Sequence, residues 1–365
     1  MRIVFQGGDN MLGRAVQLTL PYQSFGDSTL TDSQTAQEYL EQIIDLNQLD
    51  MIRRQNLKGG SYLWGDLPKD LGEDVRVLNL ESSPTISINK FDLPKKSILY
   101  HVNLYNVPIV FSQFHRPLIL SLANNHSLDM GRLAFVQETL AANLPGVVGV
   151  GKNYEDASKP LKIGRFTIYS FGAGCSGVPS SWKATQTEPG LSYLPAIDSD
   201  QNVKKAFELI KQVILKDSNM KTCTCISIHW GPNWSYPGDG QEFRVKLAHK
   251  LIDELNVDLI YGHSSHHIRG IEVYQGKLVL YGCGDLINDY EKISTRGNYN
   301  INGALFVVDL NDSTFNFENI NLIPIEVVNL QCKQIKNPTK IKRLIEFINH
   351  QSEMDCPKTG IMLLN

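Results

Sequence analysis

The sequence predicts an α/β layered domain in which strands and amphipathic helices alternate. Short β-branched runs end in small-residue turns along most of the chain. Between several of these runs, apolar residues recur at the i, i+3, i+4, i+7 spacing of a helix with one buried face. Polar residues also follow five of the runs directly, and ligands of open α/β sheets gather at the carboxyl ends of the strands.

The predicted elements extend along the whole chain. The predicted strands are Arg2–Phe5, Val75–Leu80, Leu118–Leu122, Val147–Val150, Phe166–Phe171, Thr222–Ile228, Val257–Tyr261, Lys277–Tyr281, Ala304–Leu310 and Ile320–Leu330. The predicted helices cover 36–51, 203–214, 243–255 and 339–350.

The length of 365 residues fits one large domain or two modest ones, at about 100–200 residues per domain. We predict one main domain over 1–310, with 28–60 as a candidate helical insertion. Residues 311–365 are predicted to pack on the same domain as a strand and a helix.

The charge balance excludes several classes of protein. Lys and Arg total 35 against 38 Asp and Glu, a formal net charge of -3. This argues against a basic nucleic-acid-binding protein and against a polybasic membrane binder. No run approaches the roughly 18 apolar residues of a transmembrane helix.

The N-terminus and the cysteines point to the cytoplasm. The first strand holds three apolar residues after Arg2, whereas a signal peptide needs about 7–15 in its apolar region. Six cysteines are too few for a disulfide scaffold in a chain of this length. We therefore expect a cytoplasmic protein with reduced cysteines.

The polar residues at the strand ends are candidates for a metal site. They are Asp9, Glu81, Asn125, His126, His229, His263, His266 and His267. Individually, each has an ordinary structural interpretation: Asp9 could cap a helix, and His229 could be a hydrogen-bonded core residue. Together, carboxylates, imidazoles and an amide oxygen suit Zn, Mn or Fe rather than a thiolate site. Two such clusters sharing a carboxylate are typical of two-metal hydrolases.

The motifs around these residues resemble those of a known family. They are Gly8-Asp9-Asn10-Met11-Leu12-Gly13-Arg14, Asn79-Leu80-Glu81, Ala123-Asn124-Asn125-His126-Ser127-Leu128-Asp129, Val148-Gly149-Val150-Gly151, His229-Trp230-Gly231, Gly262-His263-Ser264-Ser265-His266 and Cys283-Gly284-Asp285. In order and spacing the chain resembles the CapA proteins of poly-γ-glutamate capsule biosynthesis, within the calcineurin-like metallophosphoesterase superfamily.

The resemblance implies a four-layer αββα sandwich with one or two divalent metal ions at the strand ends. Carried over to this sequence, it assigns Asp9 and His266 to a first metal, Glu81 to a bridge, and Asn125, His229 and His263 to a second metal. His126 would act beside them as an acid or transition-state stabiliser.

Three positions depart from the patterns of the superfamily and family. Met11 stands where phosphatases of the superfamily have a histidine, as is usual among CapA-like chains, so the first metal loses an imidazole. Ser264-Ser265 replaces a frequent His-Pro. Asp285 replaces a common asparagine and could be a further ligand or a surface residue.

Three further interpretations concern charged residues near the motifs. Arg14 or Arg269 could hold a substrate carboxylate or phosphate through two parallel hydrogen bonds, or could be a surface charge. His267 could shuttle a proton if His266 binds metal. The pair Lys95-Lys96 is interpreted as a solvated turn.

The motifs support three functional hypotheses. In the first, a metal lowers the pKa of bound water from about 15.7 toward about 7, and the water attacks a phosphoester or a γ-glutamyl-type amide. The substrate would be a small molecule or an acidic polymer such as poly-γ-glutamate. In the second, the chain is an accessory subunit that works with polyglutamate-synthase subunits in polymer synthesis or export. In the third, a degenerate metal fold serves as a binding module.

Overall fold

Strands and helices alternate along the chain, which confirms the prediction of a mixed α/β protein. The structure is a computed structural model and describes residues 1–24, 35–88, 93–217, 222–234, 239–291, 303–357, 360, 362 and 364. Residues 28–34 of the candidate insertion lie outside the described residues.

The strands are β1 (Arg2–Asn10), β2 (Val75–Leu80), β3 (Ser83–Thr85), β4 (His101–Asn103), β5 (Leu118–Ser121), β6 (Val147–Val148), β7 (Val150–Gly151), β8 (Leu161–Ile163), β9 (Phe166–Ala173), β10 (Gly190–Leu191), β11 (Tyr193–Leu194), β12 (Cys223–His229), β13 (Leu259–His263), β14 (Ile271–Tyr274), β15 (Lys277–Leu280), β16 (Gly303–Leu310), β17 (Phe317–Val328) and β18 (Gln331–Gln334).

The helices are α1 (Ala15–Leu18), α2 (Ala36–Ile43), α3 (Leu49–Asn56), α4 (Ser61–Trp64), α5 (Asn106–Phe111), α6 (Gly131–Ala134), α7 (Tyr154–Ser158), α8 (Asp200–Ile214), α9 (Gln241–Leu255) and α10 (Pro338–Asp355). The chemistry of their caps is visible in the sequence. Thr35 and Glu38 form a reciprocal capping box at the start of α2, and Asn337 accepts two backbone N–H bonds at the start of α10.

Two mixed sheets form the frame of the protein. The first has the order β18-β17-β16-β1-β2-β5-β6, with the β1, β2, β5 and β6 neighbours parallel. The second has the order β11-β9-β12-β13-β15-β14, with β8 on β9. In the second sheet β9, β12 and β13 run parallel, so their carboxyl ends meet at one edge.

Because alternate residues of a strand face opposite sides of the sheet, the three largest apolar clusters of the described residues lie in separate layers. On β1, Phe5 joins a cluster that also contains Tyr261 of the second sheet, and their rings stack with centroids 4.7 Å apart. Val4, on the opposite face, packs in a cluster with α1 to α5. On the far face of the second sheet, Ile228 packs in a cluster with α8 and α9. The middle cluster therefore joins the two sheets, and helices cover their other faces.

The described part of the candidate insertion contributes to the core. Leu40 and Ile43 of α2 and Ile52 of α3 are buried in the same cluster as the helix-covered face of the first sheet. The predicted single helix over 36–51 is wrong, because the chain leaves the α-helix at Ile44 and restarts at Leu49 after a short turn. Polar Asp45 and Asn47 form that turn through a side-chain to backbone hydrogen bond.

The C-terminal residues extend the first sheet. β17 pairs with β16, and β18 pairs with β17, so two strands precede α10 where one was predicted. The division at residue 310 stays a prediction.

All six cysteines are free thiols, as expected. Across the described residues, no helix combines the length and apolar character needed to cross a bilayer.

Tyr261 ties the second sheet to the backbone of β1, which leads to a test of the fold. Its hydroxyl donates to the carbonyl oxygens of Gly7 (2.7 Å) and Gly8 (3.1 Å). Tyr261→Phe should lower the free energy of unfolding by about 0.5–1.5 kcal/mol, the net contribution of a typical hydrogen bond. Urea unfolding measures this change. Tyr105→Phe, at an exposed ring, is the matched control, and an equal loss in both variants would contradict the prediction.

Candidate metal centre

Neighbouring strands bring several of the predicted site residues together. In the second sheet, His229 at the end of β12 pairs in register with His263 at the end of β13. In the first sheet, Asp9 of β1 pairs with Asn79 of β2, two residues before Glu81. The strand-end rule therefore identified the positions from which the side chains converge.

A bulge in β1 places Asp9. The register between β1 and β2 shifts between Phe5 and Asp9, and Gly7 within the shift has φ +59. The N–H groups of Gly8 and Asp9 both donate to the carbonyl of Gly284, at 2.7 and 2.9 Å. A Cβ on Gly8 would lie 2.6 Å from that oxygen, so this approach requires glycine.

Asp9 belongs to two groups of side chains that could each hold a cation. The ligand atoms of Asp9, His229 and His263 lie within 4.8 Å of one another, and so do those of Asp9, His266 and Asp285. All five residues are buried. The arrangement matches a pair of clusters that share one carboxylate, with Asp9 as the shared residue in the described geometry.

The carboxylate of Asp9 is held in one orientation. Asn79 donates to its Oδ1 (2.7 Å), and the backbone N–H of Ser264 donates to its Oδ2 (2.9 Å). Asn124 in turn donates to Oδ1 of Asn79 (3.0 Å). Ser264 and His266 both have positive φ, 96° and 57°, a rare conformation for residues other than glycine that is common at functional sites.

The imidazoles of His229 and His263 face each other, with their Nδ1 atoms 2.8 Å apart. The outer nitrogens have oxygen neighbours: Nε2 of His229 lies 2.9 Å from Oδ1 of Asn125, and Nε2 of His263 lies 2.9 Å from Oγ of Ser227. Partners of this kind orient the rings of metal-binding histidines.

Glu81 supplies the observation that best tests whether a cation fits. Within the described residues, neither of its carboxylate oxygens has a hydrogen-bond partner, although both are buried. Its Oε1 lies 3.7 Å from Nε2 of His126 and 3.8 Å from Nε2 of His229. A buried carboxylate without donors is strongly unfavourable, so a positive ion beside Glu81 fits the residues present.

Asp285 lies inside the site, which excludes the surface alternative. Its side chain is buried, and Oδ1 lies 2.9 Å from Nδ1 of His266. An isolated parallel bridge joins Asp285 to Asp9. Met11, at the position of the missing histidine, packs instead with Tyr100 and Tyr290 and accepts a hydrogen bond from the Tyr290 hydroxyl on its sulfur (3.0 Å).

The protonation of these groups follows from burial and mutual repulsion. Burial raises the pKa of Asp9 to about 6, against the opposing charge of His266. Burial and the neighbouring Asp9 hold the pKa of Glu81 well above its usual range. Burial lowers the pKa of His263 to about 3 and that of His229 well below its usual range. Neutral imidazoles beside crowded carboxylates are suited to a divalent ion.

His126 is placed between Glu81 and a charged pair that the sequence analysis missed. Its Nδ1 lies 2.5 Å from Oδ2 of Asp129, and Lys96 forms a salt bridge of 2.7 Å with the same carboxylate. The interpretation of Lys95-Lys96 as a solvated turn is therefore wrong for Lys96, although Lys95 is exposed. The sequence does not predict this contact, because no local pattern links residue 96 to residue 129.

His267 and Trp234 lie against the His266 side of the centre. The Nδ1 of His267 lies 2.8 Å from the carbonyl of Ser265, and burial lowers its pKa to about 4. The Trp234 ring stacks on His266 with centroids 5.1 Å apart. A proton-shuttle role of His267 stays a prediction, whereas Trp234 forms part of the wall of the site.

Both candidate arginines already have carboxylate partners. Arg14 is buried and donates to Asp289 through Nε (3.0 Å) and its NH2 group. Arg269 donates to Asp355 through Nε (3.0 Å) and NH2 (2.8 Å). The surface-charge alternative is wrong for both, since their side chains are 2% exposed. Substrate binding by Arg14 stays a prediction, and Asp289 would compete with the substrate.

The chain is similar to a described protein family and to named bacterial proteins. The family model described as "Bacterial capsule synthesis protein PGA_cap" matches residues 3–290. A protein of Mycobacterium tuberculosis named "probable polyglutamine synthesis accessory protein" is 30% identical over 99% of this chain and 93% of its own. The "PGA biosynthesis protein CapA" of Bacillus subtilis is 29% identical over 49% of this chain and 44% of its own.

The shared position of Asp9 leads to a binding test on chelator-treated protein. Titration calorimetry with Mn²⁺ or Zn²⁺ should give two ions per chain for the unchanged protein and one for Asp285→Asn. It should give no tight binding for Asp9→Asn, because that change affects both groups. Bound ion should also stabilise the fold, by about 2.7 kcal/mol at 100 times the dissociation constant. His350→Ala, at an exposed histidine, is the control; unchanged binding in Asp9→Asn would contradict the assignment.

Proposed function

We propose a function from two findings: the chain belongs to the family of bacterial capsule synthesis proteins described as PGA_cap, and its strand ends form a buried site suited to divalent ions. The protein is a metal-dependent hydrolase in the metabolism of a glutamyl polymer. It cleaves a phosphoester or a γ-glutamyl-type amide. The donor-free carboxylate of Glu81 beside two groups that share Asp9 carries this proposal.

The ligand assignment follows the contacts of each side chain. Asp9, His266 and Asp285 would hold one ion. The other would be held by Asp9, His229 and His263, with Asn125 and Glu81 as further oxygen ligands beside His229. Zn, Mn and Fe suit this mixture of imidazoles and oxygens. We also infer the four-layer αββα sandwich, because one apolar cluster joins the sheets and two others lie beneath helices.

The mechanism divides into the contribution of the ions and that of the side chains. When bound, divalent ions would lower the pKa of a water molecule and would place positive charge opposite a developing oxyanion. The Nε2 atom of His126 faces Glu81 and lies 3.7 Å from its Oε1. In this position Nε2 can exchange a proton with the reacting group. Trp234, stacked on His266, shields that side from water.

A second candidate function is favoured by the names of the relatives. The Mycobacterium tuberculosis protein, similar over nearly the whole chain, is named an accessory protein of polyglutamine synthesis. In this alternative the chain binds subunits of a polyglutamate synthase and has no turnover of its own. Co-purification with such subunits, together with cleavage of neither substrate class, would favour it over hydrolysis.

The hydrolase proposal is tested with metal-loaded protein and three substrates: poly-γ-glutamate, γ-glutamyl-p-nitroanilide and bis-p-nitrophenyl phosphate. We expect cleavage of at least one, abolished by chelator and restored by Mn²⁺ or Zn²⁺. Asn125→Ala and His229→Ala should each lower kcat/KM by about 100-fold or more, since even the outer partners of metal ligands contribute roughly 10–100-fold.

The control for these variants is His350→Ala, whose exposed histidine lies on α10. It should keep full activity and metal content. Mass spectrometry of bound ions accompanies the assay, with two ions expected per chain of the metal-loaded protein. Absence of metal after reconstitution, or equal hydrolysis by His229→Ala and the unchanged protein, would refute the proposal.

A further inference from the structure

We propose that Lys96 is a positioning residue that, through Asp129, fixes the imidazole of His126 with its Nε2 directed at Glu81. This inference rests on the proposed function for the catalytic use of His126. The geometry of the clamp, defined here as Lys96, Asp129 and His126, is independent of that use.

The ammonium group of Lys96 lies between two oxygen acceptors of the site. A lysine has three N–H donors and no acceptor. Its Nζ lies 2.5 Å from the carbonyl oxygen of Asn125, 2.7 Å from Oδ1 of Asp129 and 3.2 Å from Nδ1 of His126. The two oxygens accept from Lys96, whereas Nδ1 of His126 directs its proton to Asp129 and accepts no bond, so the ammonium group binds groups of the protein itself. Trp182 lies against it, 5.3 Å from Nζ to the ring centroid.

Asp129 transmits this contact to the imidazole. Its side chain is fully buried, and both oxygens are engaged. Oδ1 accepts from Lys96, while Oδ2 accepts from the backbone N–H of Tyr100 (2.8 Å) and lies 2.5 Å from Nδ1 of His126. A carboxylate with donors on both oxygens has one orientation, and charge-assisted bonds of this length are the stronger kind.

The imidazole of His126 is thereby fixed on three sides. The shorter contact, to Asp129, places the proton on Nδ1 and leaves Nε2 as the nitrogen that faces Glu81. The Tyr100 ring and the imidazole pack in a T-shaped arrangement, with centroids 4.5 Å apart. The backbone N–H of His126 donates to Oδ1 of Asn124 (3.0 Å). The Nδ1 side is held by the charged carboxylate of Asp129, which Lys96 orients through Oδ1.

The neighbouring lysine provides a matched control for this proposal. Lys95 is exposed, whereas the Lys96 side chain is 20% exposed and reaches the site. Lys96→Met removes the charge and keeps the length of the side chain. Lys95→Met makes the same change one residue away, and Lys96→Arg keeps the charge as a rescue variant.

The first readout is the tautomer of His126, observed by nitrogen-15 NMR of histidine-labelled, Zn²⁺-loaded full-length protein. The His126 signal is assigned by its loss in His126→Gln. We expect a single tautomer protonated at Nδ1 in the unchanged protein, in Lys95→Met and in Lys96→Arg. Lys96→Met should give a mixture of tautomers, with an unchanged number of bound ions. An unaltered His126 signal in a folded Lys96→Met protein overturns the proposal.

The second readout is kinetic and uses whichever substrate is cleaved. Lys96→Met should lower kcat by about tenfold or more with KM within about twofold, because positioned acid–base groups contribute roughly 10²–10⁴-fold. A rise in KM at constant kcat would make Lys96 a substrate-binding residue and overturns the positioning role. The NMR result does not need turnover. A shifted His126 signal in a protein that hydrolyses nothing supports the clamp and refutes the proposed function.

Discussion

The burial of three carboxylates around one point is the constraint on which the centre depends. Asp9, Glu81 and Asp285 are withdrawn from water. Burial lowers the pKa values of His229 and His263, so these two imidazoles do not neutralise the carboxylates. A buried charge is stable only when it is paired. Under the proposed function a bound cation would supply the opposite charge, at the position where side chains from both sheets converge.

The same constraint determines the backbone around Asp9. The carboxylate reaches the second sheet only because β1 bulges at Gly7 and Gly8. Gly8 then lies against the Gly284 carbonyl, and an added Cβ would also lie 3.2 Å from Cβ of His263. The two sheets are thus connected at one place. The connection consists of the bulge, the Tyr261 hydroxyl and the Asp9–Asp285 bridge. Small residues are required at this connection because the two backbones lie close together.

The sequence predicted those parts of the site that follow from strand ends, and it could not predict the long-range charge pairs. Residues such as His229 and His263 were predictable, because parallel neighbours end at the same edge of a sheet. Lys96 was misjudged, since its partner Asp129 lies on a distant segment. For Arg14 the partner Asp289 is 275 residues away. Short motifs report local geometry, whereas the pairing of buried charges is decided by tertiary packing.

Under the proposed function, the number of bound ions decides the charge that the centre presents to a substrate. In the described part of the chain, Lys96 and Asp129 cancel, so Asp9, Glu81 and Asp285 set the balance. With one divalent ion the ionised centre is negative by one unit and repels an acidic polymer or a phosphoester. With two ions it is positive by one unit and attracts them. Under the proposed function, the added negative charge of Asp285 therefore makes the second ion a condition for binding anionic substrates, whereas Met11 in place of a neutral imidazole leaves the charge unchanged.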